Sequence, residues 1–106
     1  MYQTCFVYDE RLDMHVPSLD QPFEDYGMEE RLAMIESWES IRGRIPTKVM
    51  VLERLIERKL SEMGNENDFE KSCQINGEIA ELASQIHDLQ IWYRVSQDEP
   101  TAKTHL

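Results

Sequence analysis

From residue 72 to residue 96, Ser72, Ile75, Ile79, Leu82, Ile86, Leu89, Tyr93 and Ser96 follow one another at steps of three and four. That spacing keeps all of them on one stripe of an α-helix, here predicted over about residues 67–96, about 30 residues and roughly 45 Å long. A helix of that length needs a partner along its seam. A second stripe, Val49, Leu52, Ile56, Leu60 and Met63, predicts a helix over about 47–63. A third, Met28, Leu32, Ile35, Trp38 and Ile41, predicts one over about 28–42, with Glu29 and Glu30 near the positive end of its dipole.

The breaks between these stripes set the connections. Residues 64–67 read Gly-Asn-Glu-Asn. Gly64 suits a left-handed position closing one helix, and Asn67 with Glu70 three residues later forms a capping box opening the next. So short a link makes the two helices antiparallel neighbours. Gly43 and Pro46 interrupt the earlier pattern, because proline disfavours helical geometry at the residue before it and lacks the amide donor. On these lengths the half of the last helix beyond Ala83 overhangs its neighbour. If the chain kinks at 43–46, the first helix continues the second and pairs with the overhang. If it reverses, a compact three-helix bundle results.

The fold class expected is therefore all-α: a long antiparallel hairpin (about 47–63 and 67–96) preceded by a helix (about 28–42), as a three-helix bundle or, in a dimer, a four-helix type. Apolar residues around Ile91, Trp92, Tyr93 and Val95 occupy several sides of the helix, and one intramolecular neighbour covers only part of that circumference. A homodimer is the expectation that follows. Residues 1–27 differ in kind. Residues 2–8 are rich in aromatic and β-branched types, a polar turn follows at 9–11, and 12–16 returns to apolar character, the signature of a short hairpin. Residues 17–27, with two prolines and the apolar anchors Leu19, Phe23 and Tyr26, read as a strap over the helices or an acidic arm. The division expected is an arm over 1–27, a helical domain over 28–96 and a flexible tail over 97–106.

At 106 residues, 41% hydrophobic and 30% charged, the chain has the composition of one globular domain. No apolar run approaches the roughly 20 residues of a membrane span, and the first ten lack the basic and apolar regions of a secretion signal, so the cytoplasm is the expected location. Cys5 and Cys73 show no metal or redox spacing and read as free thiols. The net charge of −10 is uneven: residues 1–40 carry ten acids and two bases, residues 41–63 three acids and six bases, residues 64–106 eight acids and three bases. Only Arg42, Arg44, Lys48, Arg54, Arg58 and Lys59 could form a basic surface, which disfavours direct nucleic-acid binding.

Glu36 with Glu39 and Glu78 with Glu81 form ExxE pairs on predicted helices, a donor set that can hold magnesium against a nucleotide phosphate. In this they resemble the all-α nucleotide pyrophosphohydrolases of the MazG type, which implies a magnesium-dependent nucleotide hydrolase. The family's following ExxD element is missing, since Gln85 stands three residues before Asp88. His15, His87 and His105 form no metal motif, and neither Ser72 nor Ser84 sits in a nucleophile turn. Ser72-Cys73-Gln74-Ile75-Asn76, followed by Ile79, resembles the SQELD element of the helical-hairpin aspartyl-phosphate phosphatases that act on sporulation response regulators. The likeness covers about residues 52–80 and implies docking to a response regulator, whereas Asn76 in place of the acidic residue removes the group phosphatase activity needs.

The reading these features favour is a small non-catalytic interaction or regulatory module without cofactor. It would bind a protein through apolar helix surfaces, with Trp38, Ile91, Trp92 and Tyr93 as anchors and an acidic arm that steers a basic partner. The alternatives are the magnesium-dependent hydrolase using Glu36, Glu39, Glu78 and Glu81, the response-regulator-docking hairpin, and an acidic mimic of nucleic acid.

Overall fold

The structure is a computed structural model and describes residues 5–95. Two short strands come first, β1 (Phe6–Asp9) and β2 (Met14–Pro17), then a single 3-10 turn at Phe23–Asp25, then three helices: α1 (Met28–Arg42), α2 (Ile45–Gly64) and α3 (Phe69–Tyr93). The molecule measures 60 × 21 × 20 Å. Ser96, at the end of the seam, and the tail over 97–106 lie outside the described residues.

At the α1–α2 junction the chain bends and does not reverse. Gly43 (φ −63°, ψ −16°) and Arg44 (φ −88°, ψ −10°) both stay in the right-handed helical region. Pro46 occupies the first turn of α2, where its missing amide costs least. Met28 to Gly64 is consequently one long bent helix. α2 starts two residues earlier than its apolar stripe indicates and α3 ends three earlier, so no half of α3 is left over. The first turn of α2 lies beside Gln90, Tyr93 and Arg94 at the far end of α3, and the two helices run antiparallel along nearly their whole length. It is α1 that extends beyond this pair, and it does not pair with α3 as the kinked arrangement predicts.

Two details of the tight connection differ from the sequence reading. Asp68, not Asn67, caps α3, its carboxylate accepting from the amides of Glu70 at 2.9 Å and Lys71 at 3.4 Å. Gly64 remains helical, and no described glycine has a positive φ. α2 therefore ends at Asn65 through amide bonds back to the carbonyls of Glu62 and Met63.

The amino-terminal residues cover α1 and the junction. β1 and β2 pair antiparallel, with Asp9 opposite Met14. The turn between them is held by the Asp9 carboxylate, which accepts from the Leu12 amide at 3.0 Å, and by Asp13 in the left-handed region at φ 52°. An aspartate tolerates that conformation better than most residues. Leu12, Met14 and Val16 point inward and form the main core with Trp38, Ile45, Leu89 and Val95. A second cluster, Cys5, Phe23 and Met34 with Leu19, Tyr26 and Ile35 against it, seats residues 17–27 on α1.

This packing corrects the predicted face of α1. Met28 and Leu32 are exposed, at 64% and 58%, while Met34 and Trp38 are buried. The stripe turns by about one position because the strap and hairpin, not α3, cover it. Leu60, expected inside, is likewise 49% exposed. Among the described residues no helix is long and apolar enough to cross a membrane.

Candidate functional site

The α2–α3 pair forms an arm two helices wide, and its two broad sides differ in chemistry. One side carries the ion pairs and is held by the turn of the β-hairpin, although Val51, one helical step from Lys48, is 56% exposed there. Arg11, projecting from that turn, donates from Nε to Glu81 at 2.8 Å, from Nη1 to Asp88 at 2.6 Å and from Nη2 to Ser84 at 2.6 Å. Positions 81, 84 and 88 are spaced three and four apart, so one guanidinium spans consecutive turns of the same helical face. Lys48 of α2 reaches the same turn, donating to the carbonyl of Asp13 at 2.7 Å. Farther along, Lys59 of α2 pairs with Glu78 of α3 at 2.9 Å. These partners pull both carboxylates below the ordinary carboxylate range. The Lys59 hydrogen bond is the chief cause for Glu78, and those of Gln85 and then Arg11 for Glu81.

The other side is apolar and open. Its base is a groove of about 500 Å³ lined by Ile45, Pro46 and Val49 of the first turns of α2 and by Gln90, Tyr93 and Arg94 at the end of α3. From Pro46, helical steps of three and four lead to Val49, Glu53, Ile56, Leu60 and Met63. From Tyr93 they lead back through Gln90, Ile86, Ala83 and Ile79. The two rows flank each other along the arm. Val49, Ile56, Met63, Ile79 and Ile86 are only half-buried, Tyr93 is 42% exposed, and Glu53 is the one acid in either row. At the tip, where α3 begins, Phe69 is 80% exposed.

A two-helix layer buries little of such a surface. In the 20 residues of α2 only Ile45 is buried, and in α3 only Ile75, Leu82 and Leu89. A full core residue touches neighbours on all sides, and here one of those sides is solvent.

The base of the arm is fixed by α1. Trp38, without exposed surface, donates from Nε1 to the carbonyl of Val95 at 2.9 Å and meets the Trp92 ring edge-on, 5.8 Å between centroids. Arg42 donates to the carbonyl of Tyr93 at 2.8 Å, lies 4.9 Å over the Tyr93 ring and pairs with Glu39 at 2.9 Å. Two side chains of α1 thus satisfy carbonyls at the carboxyl end of α3, where cations are also favoured by the helix dipole.

Of the four anchors expected from sequence, then, Trp38 is a core residue with no surface to offer. Trp92 packs on the main core beside it, and Ile91 is half-buried. Tyr93 alone lines the open groove. The residues that build the open face, among them Val49, Ile56, Leu60, Ile79 and Ile86, are those whose spacing predicts an interior seam. Their exposure follows from the absence, among the described residues, of a third helix over the arm, which periodicity does not report. Arg11 gives no signal in the sequence, since its acceptors lie 70 to 77 residues away.

The four glutamates of the magnesium reading are not brought together. Glu39 sits beside the end of α3, while Glu78 is 15 residues before Tyr93, about 22 Å along the helix. Glu39, Glu78 and Glu81 each have a basic partner. Among the described residues no group of three or more His, Cys, Asp or Glu is placed to hold a metal ion. Cys5 is buried and Cys73 exposed, and they are not bonded to each other.

The chain matches no protein-family model, and no curated protein or solved structure is significantly similar to it.

Proposed function

We propose that the protein is a non-catalytic interaction module that binds protein through the open apolar face of its α2–α3 arm. One observation carries the reading: Val49, Ile56, Leu60, Ile79, Ile86 and Tyr93 of the open face stay half-buried or exposed, interrupted by Glu53 and Gln90, while the opposite side of the same two helices carries the ion pairs and the β-hairpin. Isolated exposed apolar residues are ordinary, but a group of them shared by two adjacent helices is the kind of surface that protein contacts cover. The acidic residues concentrated in the first 40 positions would repel acidic competitors while favouring basic ones. A cytoplasmic location is part of the proposal, supported by two unbonded thiols, one of them exposed.

The test is affinity capture by a tagged chain, from cytoplasmic extract and from cells co-expressing an untagged copy, with Leu60→Glu run beside the parent. A protein held by the parent and lost by the variant supports the reading. Equal retention by both, or none by either, refutes it.

A further inference from the structure

Resting on that reading, we infer that the arm's open face is covered by a second copy of this chain, the two arms antiparallel, giving a four-helix arrangement about a two-fold axis across the middle of the face. Size is the first argument. α2 is 20 residues long, so the face is about 30 Å by 20 Å, about 600 Å² per copy and about 1,200 Å² for the pair. That reaches the lower end of stable interfaces, and the packing depth is that of ordinary helix layers.

Shape gives the direction. The face has a groove at its base, between Pro46 and Tyr93, and projecting side chains at its tip, Leu60 at 49% and Phe69 at 80% exposed. Turning one copy end for end lays the tip residues of each over the groove of the other, with every contact made twice, as a closed two-fold interface requires. Parallel arms would set groove on groove and projection on projection.

Charge selects the same direction. Arg94 lines the groove and makes no ion pair among the described residues. Residues 62–70 at the tip carry four acids and no base. Antiparallel arms bring that acidic tip to the basic end. They also place the two copies of α1, which extends beyond the arm and carries Glu29, Glu30, Glu36 and Glu39, at opposite ends of the assembly. Parallel arms would put both at the same end. Along the rest of the face Glu53 is the only acid in either row; it lies near the midpoint of α2, so the two-fold axis brings it close to its own copy, a like-charge contact that opposes the packing and that the apolar contacts must outweigh.

The experiment is sedimentation equilibrium from low to high micromolar concentration, on the parent, Phe69→Lys, Arg94→Glu and an equal mixture of the two variants. All the altered positions are exposed, and helix content by circular dichroism serves as the control; if Phe69→Lys loses helicity, Leu60→Gln takes its place as a simple weakening test. The parent is expected to dimerise. Each variant alone should raise the dimer Kd about tenfold, and the mixture should recover part of it, because the introduced lysine of one copy and the introduced glutamate of the other then meet at one end. In parallel arms those positions lie an arm's length apart and mixing restores nothing, which overturns the proposed arrangement. A parent that stays monomeric overturns the second copy as occupant. If that monomer still captures a different protein through a Leu60-dependent contact, the interaction reading survives alone; if it captures none, both fall.

Discussion

Trp38 offers the sharpest check on how the three helices are joined, through the variant Trp38→Phe. The indole has no exposed surface, and its Nε1–H is the donor to the carbonyl of Val95 at 2.9 Å. Phenylalanine keeps an aromatic ring in the core and deletes that donor. A buried carbonyl left without a partner costs about 1–3 kcal/mol. The loss of half the indole adds a small packing deficit, together with the edge-on contact to Trp92. The sum is about 2–3 kcal/mol, below the about 3–5 kcal/mol expected for Trp38→Ala, which also opens a cavity. For a chain near 100 residues, each kcal/mol lowers Tm by about 4–8 °C, so Trp38→Phe should melt about 8–24 °C below the parent. The assay is thermal unfolding by circular dichroism at 222 nm, with all proteins at one chain concentration because the self-association proposed above would make Tm concentration-dependent. Near-ultraviolet dichroism should lose the signature of the paired indoles at the same time. A variant that melts within a few degrees of the parent would mean that Trp38 does not hold the end of α3, and the account of the base of the arm would be wrong.

The corrected face of α1 predicts that Met34→Ala costs about 2–5 kcal/mol, whereas Met28→Gln and Leu32→Gln each change stability by less than about 0.5 kcal/mol in denaturant titration. The cap of α3 predicts that Asp68→Ala costs about 0.5–2 kcal/mol, with Asn67→Ala close to neutral in the same measurement. For pH, Glu78 and Glu81 have folded pKa values below the usual carboxylate value of about 4.3, so their contribution is fully present above it and is lost as pH falls through the depressed values. Stability should decline on acidification in that window, and Lys59→Ala or Arg11→Ala should flatten the decline; an unchanged acid limb would show that these pairs do not persist in solution.

Much of this molecule is legible in its amino-acid order, and the departures have physical causes. Ile75, Leu82 and Leu89 form the inner row of α3 as their spacing requires, and α1 spans the predicted residues. A repeat of apolar positions establishes that a helix has a face but not what lies against it. Met28 and Leu32 fit one stripe through Trp38, whereas Arg31 and Met34 fit another; the seating of Cys5 and Phe23 chooses between them. Asn67 and Asp68 are both competent caps, and a single residue of register separates them. Glu66 favours the second by accepting from the Asp68 amide at 3.0 Å. The open face looks interior in the sequence for the same reason that Trp38 looks like surface. Each depends on segments far away in the chain, and local pattern carries no record of them.

Those distant contacts also bear on the order in which the protein can form. Arg11 finds its acceptors 70 to 77 residues later, and Trp38 finds the Val95 carbonyl 57 residues later, whereas α2 and α3 meet across a short link. Contacts of small separation close fast and those of large separation close slowly. During synthesis the β-hairpin and α1 emerge before α3, yet the residues that complete their core, Leu89 and Val95, come only at the carboxyl end of α3 and just beyond it. The hairpin and α1 must therefore wait with their apolar side uncovered until that end arrives, and the nascent chain is most exposed to misassociation just before the last two turns of α3 are made.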